Sequence, residues 1–179
     1  MRISPAEAAY ARIMTPATKY WICKLAPGFV FEAMECLGGN GYVEESRLPR
    51  LYREAPVNAI WEGAGNIMCL DVLRALSREA DAALAVLRGL ADASQGLPGA
   101  GEAAAFIGKT FRRPDSERVA RLAVERLALL AAAAALNQVS PRHAELFAAT
   151  RLANVHGSMY GAVDLAEADI RGLLERALP

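Results

Sequence analysis

The sequence predicts an all-α fold: an antiparallel helical bundle followed by extra C-terminal helices. Alanine and leucine dominate, runs of β-branched residues are absent, and no stretch sustains the two-residue alternation of a strand. With 179 residues, 54% of them hydrophobic and 22% charged, the chain can bury about two thirds of its unfolded surface and is neither disordered nor fibrous.

A short first helix should follow Ser4-Pro5, where Ser4 caps and Pro5 occupies the first turn. The segment "TPATKYWICKLAPGFVFEAMECLGGNG" predicts a helix from Pro16 to Leu37, kinked or broken near Pro27, which lacks a backbone donor, and stopped by Gly38-Gly39. Irregular chain is expected from Asn40 to Ser46, then a short helix opened by Pro49 and closed before Pro56. From Gly65 to Arg78 the apolar positions Ile67, Met68, Leu70, Val72, Leu73 and Leu76 form too broad a face for a surface helix, which predicts a central one. A helix over 79–94 should end at "SQGLPGAG", a glycine- and proline-bearing stretch read as a linker over 95–101. The division is therefore a bundle over 1–94, the linker, and an additional helical region over 102–179. That last region offers "EAAAFIGKTF", "DSERVARLAVERLALLAAAAALNQ", "PRHAELFAATRLANVH" and "AVDLAEADIRGLLERAL", each helical and joined by short turns. The alanine run at 131–135 marks close helix packing, and no repeat of solenoid length is visible.

Twenty basic side chains balance twenty acidic ones, so no global field steers the chain to nucleic acid or an anionic membrane, and such a partner must meet a local patch. Cys23, Cys36 and Cys69 form no CxxC pair and are odd in number. That argues against a disulfide framework or zinc site and for reduced, mostly buried thiols in a cytoplasm. The longest apolar run, "LALLAAAAAL", is about half of the roughly 20 residues that cross a bilayer, and the first residues lack a signal-peptide core, so the reading is a soluble cytoplasmic protein with no membrane partner. His143 and His156 lack carboxylate or cysteine partners at ligand spacing, so no metal site is expected; Ser140 and Ser158 lie in no nucleophile motif. Tyr20, Trp21, Phe29 and Phe31 are expected in the core.

Glu62 stands between Trp61 and Gly63, immediately ahead of the apolar helix. Its plainest role is a carboxylate stabilised by that helix's N-terminal dipole. Gly63 and Gly65 would let backbone approach a ligand closely, although glycine equally serves any tight turn.

Two motifs narrow these readings. "AMECLGGNGYVEE" at 33–45 and "LYREAPVNAIWEGAGNI" at 51–67 resemble the C-terminal helical domain of flavin-dependent acyl-CoA dehydrogenases. "ECLGGNGYVEES", "LPRLYREAPVN" and "WEGAGNIMCLDVLR" together resemble the alkylation-response, or adaptive-response, branch, dehydrogenase-like flavoproteins that also bind DNA. The resemblance spans residues 10–78 strongly. Nothing resembles the family's N-terminal helical domain, its β domain or the first helix of its C-terminal bundle. It therefore implies a fragment whose bundle is incomplete at its N-terminus, with those domains as partners, FAD as cofactor, acyl-CoA or a related thioester as substrate, and a homo-oligomer.

By the same resemblance Glu62 matches the base that takes the proton α to the thioester carbonyl while hydride leaves the β carbon for flavin. That task calls for a carboxyl group raised toward neutrality by burial, for which Trp61 would be the apolar wall. Gly38 and Gly39, with Gly41, match a loop near the dinucleotide of a neighbouring subunit, and Gly63, Gly65 and Asn66 fall beside the flavin nucleotide. Ala64 stands where relatives carry a hydroxyl and Glu35 where many carry glutamine, both unhelpful to flavin. Arg53-Glu54 matches an Arg-acid pair and is read as an architectural ion pair.

Between Lys109 and Arg126 the chain carries a local excess of three positive charges. Arg112, Arg113, Arg118 and Arg121 are the candidate contacts to double-stranded DNA, with Arg118 and Arg121 on one helix face; a solvated helix face explains the same pattern. The expected function is the C-terminal portion of an FAD-dependent acyl-CoA dehydrogenase-like oxidoreductase, silent alone. The alternative is a DNA-binding alkylation-response flavoprotein with vestigial dehydrogenation. A helical interaction module that no longer binds flavin would fit Ala64 and Glu35 best.

Overall fold

The computed structural model describes residues 3–153 and 160–178, and the readings placed on His156 and Ser158 lie outside the described residues. Among the described residues every regular element is helical. Helix α1 runs Pro5–Cys36 and begins with a capping box: Ser4 Oγ accepts from the Glu7 amide at 3.2 Å, and the Glu7 carboxylate accepts from the Ser4 amide at 2.8 Å.

Two helices were expected where α1 is one, and neither Pro16 nor Pro27 breaks it. Each proline forfeits one intrahelical bond. Ile13, Met14, Pro16 and Ala17 are all buried on one face, so tertiary burial outweighs that loss at the first proline. At the second, the Tyr160 hydroxyl donates to the Leu25 carbonyl at 3.1 Å, and its ring packs edge-on to Phe29.

After Gly38, which takes φ 55°, a short turn of helix α2 (Gly39–Tyr42) replaces part of the expected irregular stretch. Gly41 is buried against α1, where a Cβ would collide with the Met34 carbonyl oxygen. Helix α3 (Leu48–Glu54) and a 3-10 turn (Ala55–Ala59) lead through a non-helical junction into α4 (Gly65–Arg78) and α5 (Ala80–Ala93). Then come α6 (Ala100–Phe111), a 3-10 turn (Ser116–Val119), α7 (Ala120–Val139), α8 (Pro141–Ala148) running on into a π turn (Ala149–Ala153), and α9 (Glu167–Ala177).

The central helix is α7, not α4. Ala123, Val124, Leu127, Leu130 and Ala133 of α7 are fully buried, and α7 touches α1, α4, α5, α6 and α8. In α4 only Gly65, Cys69, Val72 and Ala75 are buried, and Ile67 is 48% exposed, because α1 and α7 cover one side of it. Ala131, Ala133 and Ala134 of the alanine run are buried, consistent with close helix approach.

The stretch 94–99 is a turn anchored by buried Ser94, whose Oγ donates to the carbonyls of Leu90 at 2.8 Å and Ala91 at 3.2 Å. One hydrophobic cluster runs across it, joining Ile13 and Ala17 of α1 to Ile107 of α6 and Leu127 and Leu130 of α7. Two expectations need correction. Tyr20 and Trp21 pack on the core, but Phe29 and Phe31 are largely exposed; of the cysteines only Cys69 is buried, with Cys36 exposed. Phe29 and Phe31, two residues apart on α1, point to different sides of it and meet Tyr160 and Tyr52 instead of the core. No described helix is long and apolar enough to cross a membrane.

Arg12 and Asp71 tie α1 to α4 by two parallel bonds of 2.7 and 2.8 Å. The hydrogen bonds from the guanidinium hold the Asp71 carboxyl below the usual aspartate range. Stability from this pair is therefore complete above the unfolded pKa of about 3.9 and is lost as pH falls through the lowered folded value. In urea titrations across the acid limb, Asp71→Asn should be less stable than the parent at neutral pH and should converge with it as pH falls. The glycines of the loop give a paired test: Gly41→Ala should cost roughly 1–3 kcal/mol by overpacking. Gly39→Ala, where a Cβ meets nothing within 4 Å, should leave the midpoint unchanged.

Candidate active site

Glu62 lies at the turn between the 3-10 segment and α4. The Trp61 amide closes the preceding turn on the Val57 carbonyl at 3.0 Å; the backbone then reverses through Glu62 at φ 51° and Gly63 at φ 111° before Ala64 opens α4. Glu62 is the one non-glycine residue at positive φ among the described residues. Glycine would adopt this conformation freely, whereas a glutamate there costs roughly 1–2 kcal/mol. Such strain is characteristic of functional positions.

The turn is held from α1. Lys19 Nζ donates to the carbonyl oxygens of Trp61 at 2.6 Å and Gly63 at 2.8 Å, the two carbonyls on either side of Glu62. On one side of Lys19 a groove of about 530 Å³ between α1 and α4 is lined by Arg12, Thr15, Pro16, Glu62, Met68 and Asp71. On the other, Lys19 joins Tyr20, Lys24, Asn58, Gly63 and Gly65 around a narrow cleft.

Gly65 is buried for a packing reason: a Cβ would lie 2.8 Å from Lys24 Cε and 3.3 Å from the Tyr20 ring. Ala64 supplies no side-chain cap, which leaves the first amides of α4 without a side-chain acceptor, beside the exposed Asn66. Such a set suits an anionic or carbonyl oxygen. Gly38 and Gly39 are exposed with open space at their Cβ positions, so their backbone is accessible, but neither lines a groove with Glu62. Glu35 is likewise exposed.

The expected apolar wall is missing among the described residues: Trp61 is 57% exposed and Glu62 is exposed beside it. Arg53 does not pair with Glu54. It makes two bonds of 2.6 and 3.0 Å to Glu44, and Glu54 instead accepts from Arg50 at 2.9 Å, because adjacent residues on a helix point apart.

The four arginines are not a free row. Arg113 makes two bonds to Asp115, at 2.9 and 2.8 Å; Arg118 approaches the same carboxylate at 3.6 Å; and Arg121 Nε donates to the Tyr20 hydroxyl at 3.3 Å with its guanidinium over that ring. Arg118 sits in the 3-10 turn and Arg121 in α7. Arg112 is exposed at the end of α6. Ser140 and His143 are hydrogen-bonded at 2.6 Å in the first turn of α8, and the described residues contain no cluster of three or more potential metal ligands.

Sequence reasoning missed Lys19, and it placed Tyr20 in the core and Arg121 on a DNA patch without their contacts at the site. Each acts on a residue more than forty positions away, so no local spacing marks it.

Comparison with known proteins bears on residues throughout this site. Residues 4–77 match the acyl-CoA dehydrogenase C-terminal domain. The chain is 66% identical over 79 residues to the putative acyl-CoA dehydrogenase AidB of Escherichia coli (strain K12), covering 44% of this chain and 15% of that protein. It is 45% identical over 82 residues to acyl-CoA dehydrogenase family member 11 of Caenorhabditis elegans, covering 46% and 13% respectively. The chain thus spans about a seventh of the length of these relatives by alignment. The crystal structure of Caenorhabditis elegans ACDH-11 in complex with C11-CoA superposes with a TM-score of 0.69 at 25% identity, covering 98% of this chain and 34% of that one. Bd2924 in its apo form gives a TM-score of 0.65 at 30% identity, covering 76% and 26%. Residues 4–77, which carry Glu62 and the loop before it, are thus similar to the acyl-CoA dehydrogenase C-terminal domain, with AidB among the relatives that share them.

Proposed function

We propose that the chain is the base-bearing C-terminal portion of an FAD-dependent acyl-CoA dehydrogenase-like oxidoreductase that forms the α,β double bond of an acyl-CoA thioester. The observation that supports it most is Glu62, held at positive φ on the rim of a groove, directly before the uncapped start of α4. Its carboxylate takes the proton from the carbon α to the thioester carbonyl, and FAD, when bound, supplies the acceptor for the hydride from the β carbon. The α4 amides and Asn66 fit oxygens of a flavin nucleotide; Ala64 offers no hydroxyl. The open backbone of Gly38 and Gly39 suits the nucleotide of a neighbouring copy in a homo-oligomer. Thioester as substrate class gains support from the relative solved in complex with C11-CoA. The three unpaired cysteines fit a reducing cytoplasm.

The isolated chain is silent in this reading, because Glu62 is exposed to solvent, whereas proton abstraction from carbon calls for a site that excludes water. Duplex DNA is the weaker reading, since Arg113, Arg118 and Arg121 all have intramolecular partners.

Flavin titration of the chain, alone and with the remaining domains of the Escherichia coli relative supplied separately, should show binding only on complementation. In the complemented protein Glu62→Gln should lower kcat by roughly 10²–10⁴-fold. Turnover by the chain with FAD alone would overturn its silence, and undiminished turnover by Glu62→Gln would remove the base assignment.

A further inference from the structure

We propose that Lys19 is a positioning residue for Glu62: its ammonium bridges the two flanking carbonyls and locks Glu62 in the left-handed conformation that sets its carboxylate on the groove. The inference rests on Glu62 being the base only for its catalytic meaning; the clamp itself stands on geometry.

The carbonyls of Trp61 and Gly63 receive no backbone N–H among the described residues, because the chain reverses at Glu62 and Gly63 instead of continuing a helical ladder. Both turn toward α1, and Lys19 reaches them at 2.6 and 2.8 Å, short charge-assisted bonds. Lys19 is half-buried one turn beyond Pro16, with buried Pro16 and Ala17 anchoring α1 against the core, so its stem starts from a fixed platform. An ammonium on a flexible stem suits two acceptors that converge from separate residues, where a planar guanidinium would favour a single carboxylate. Lys19 also lines both the groove that holds Glu62 and the narrow cleft, as Met68 does.

A clamp that offsets left-handed strain makes a distinctive demand: it should matter when residue 62 is glutamate and matter little when it is glycine, which needs no holding. A lysine that served only to pack α1 would be indifferent to that change.

Amide hydrogen exchange followed by NMR on the full chain tests this at Trp61 and Met68, whose amides bond to Val57 at 3.0 Å and Ala64 at 3.1 Å on either side of the junction. In Lys19→Met these amides should exchange about tenfold faster or more relative to those of α7, as expected for local opening. In the Glu62→Gly background the same loss of Lys19 should accelerate them by less than about threefold. Should Lys19→Met also loosen α7, Lys19→Gln keeps a polar tip and takes its place in the cycle. No selective acceleration, or an equal one with glycine at 62, would overturn the clamp. None of these readouts requires turnover, so a complemented protein that fails to dehydrogenate would count against the base assignment alone.

Discussion

Neighbouring helices can approach an alanine-rich helix almost to its backbone, and α7 is approached in this way by α1, α4, α5, α6 and α8. Its leucines and Val124 fill the spaces between those neighbours, and its buried alanines set their distance. Much else follows from that contact. Helix α1 stays straight enough to be one element through Pro16 because its buried face is pressed on this core. Helix α4 is drawn in by Cys69, Val72 and Ala75, which leaves its N-terminal end, rather than its middle, free to present chemistry. Burial also lifts the Cys69 thiol to a pKa of about 11, which makes it an inert packing group rather than a nucleophile.

The junction that carries Glu62 is constrained from two directions. Lys19 fastens its carbonyls to α1, and Tyr20, one residue on, lies against Gly65 at the first turn of α4. Tyr20 in turn is held by Arg121 of α7 through a hydrogen bond and ring contact. The region beyond residue 101 is therefore mechanically continuous with the site: its central helix positions the ring that α4 starts against. The family match ends at residue 77, yet the superposition on the Caenorhabditis elegans structure extends over 98% of the chain, so the later helices are part of a shared arrangement.

Exposure of Glu62 and Trp61 fits a chain that occupies only about a third of the solved relative it resembles. Donors, carboxylate and rigid backing are all supplied by residues 12–71.

By itself the sequence determined the helical class, the caps and the stops, because these depend on neighbours within a turn: Ser4 with Glu7, Gly38 after Leu37, Pro49 at the start of α3. It also marked Glu62 as the residue to watch, through a motif read from adjacent positions. The tertiary structure decided which helix is central, because burial depends on what lies opposite, and α7 and α4 are apolar enough for either to qualify. It likewise decided that two internal prolines are tolerated, that Arg53 turns to Glu44, and that Arg121 serves Tyr20. The conformation of Glu62 belongs to the same class: its strain is held by a lysine forty-three positions earlier, and a contact across that separation leaves no periodicity for a sequence to show.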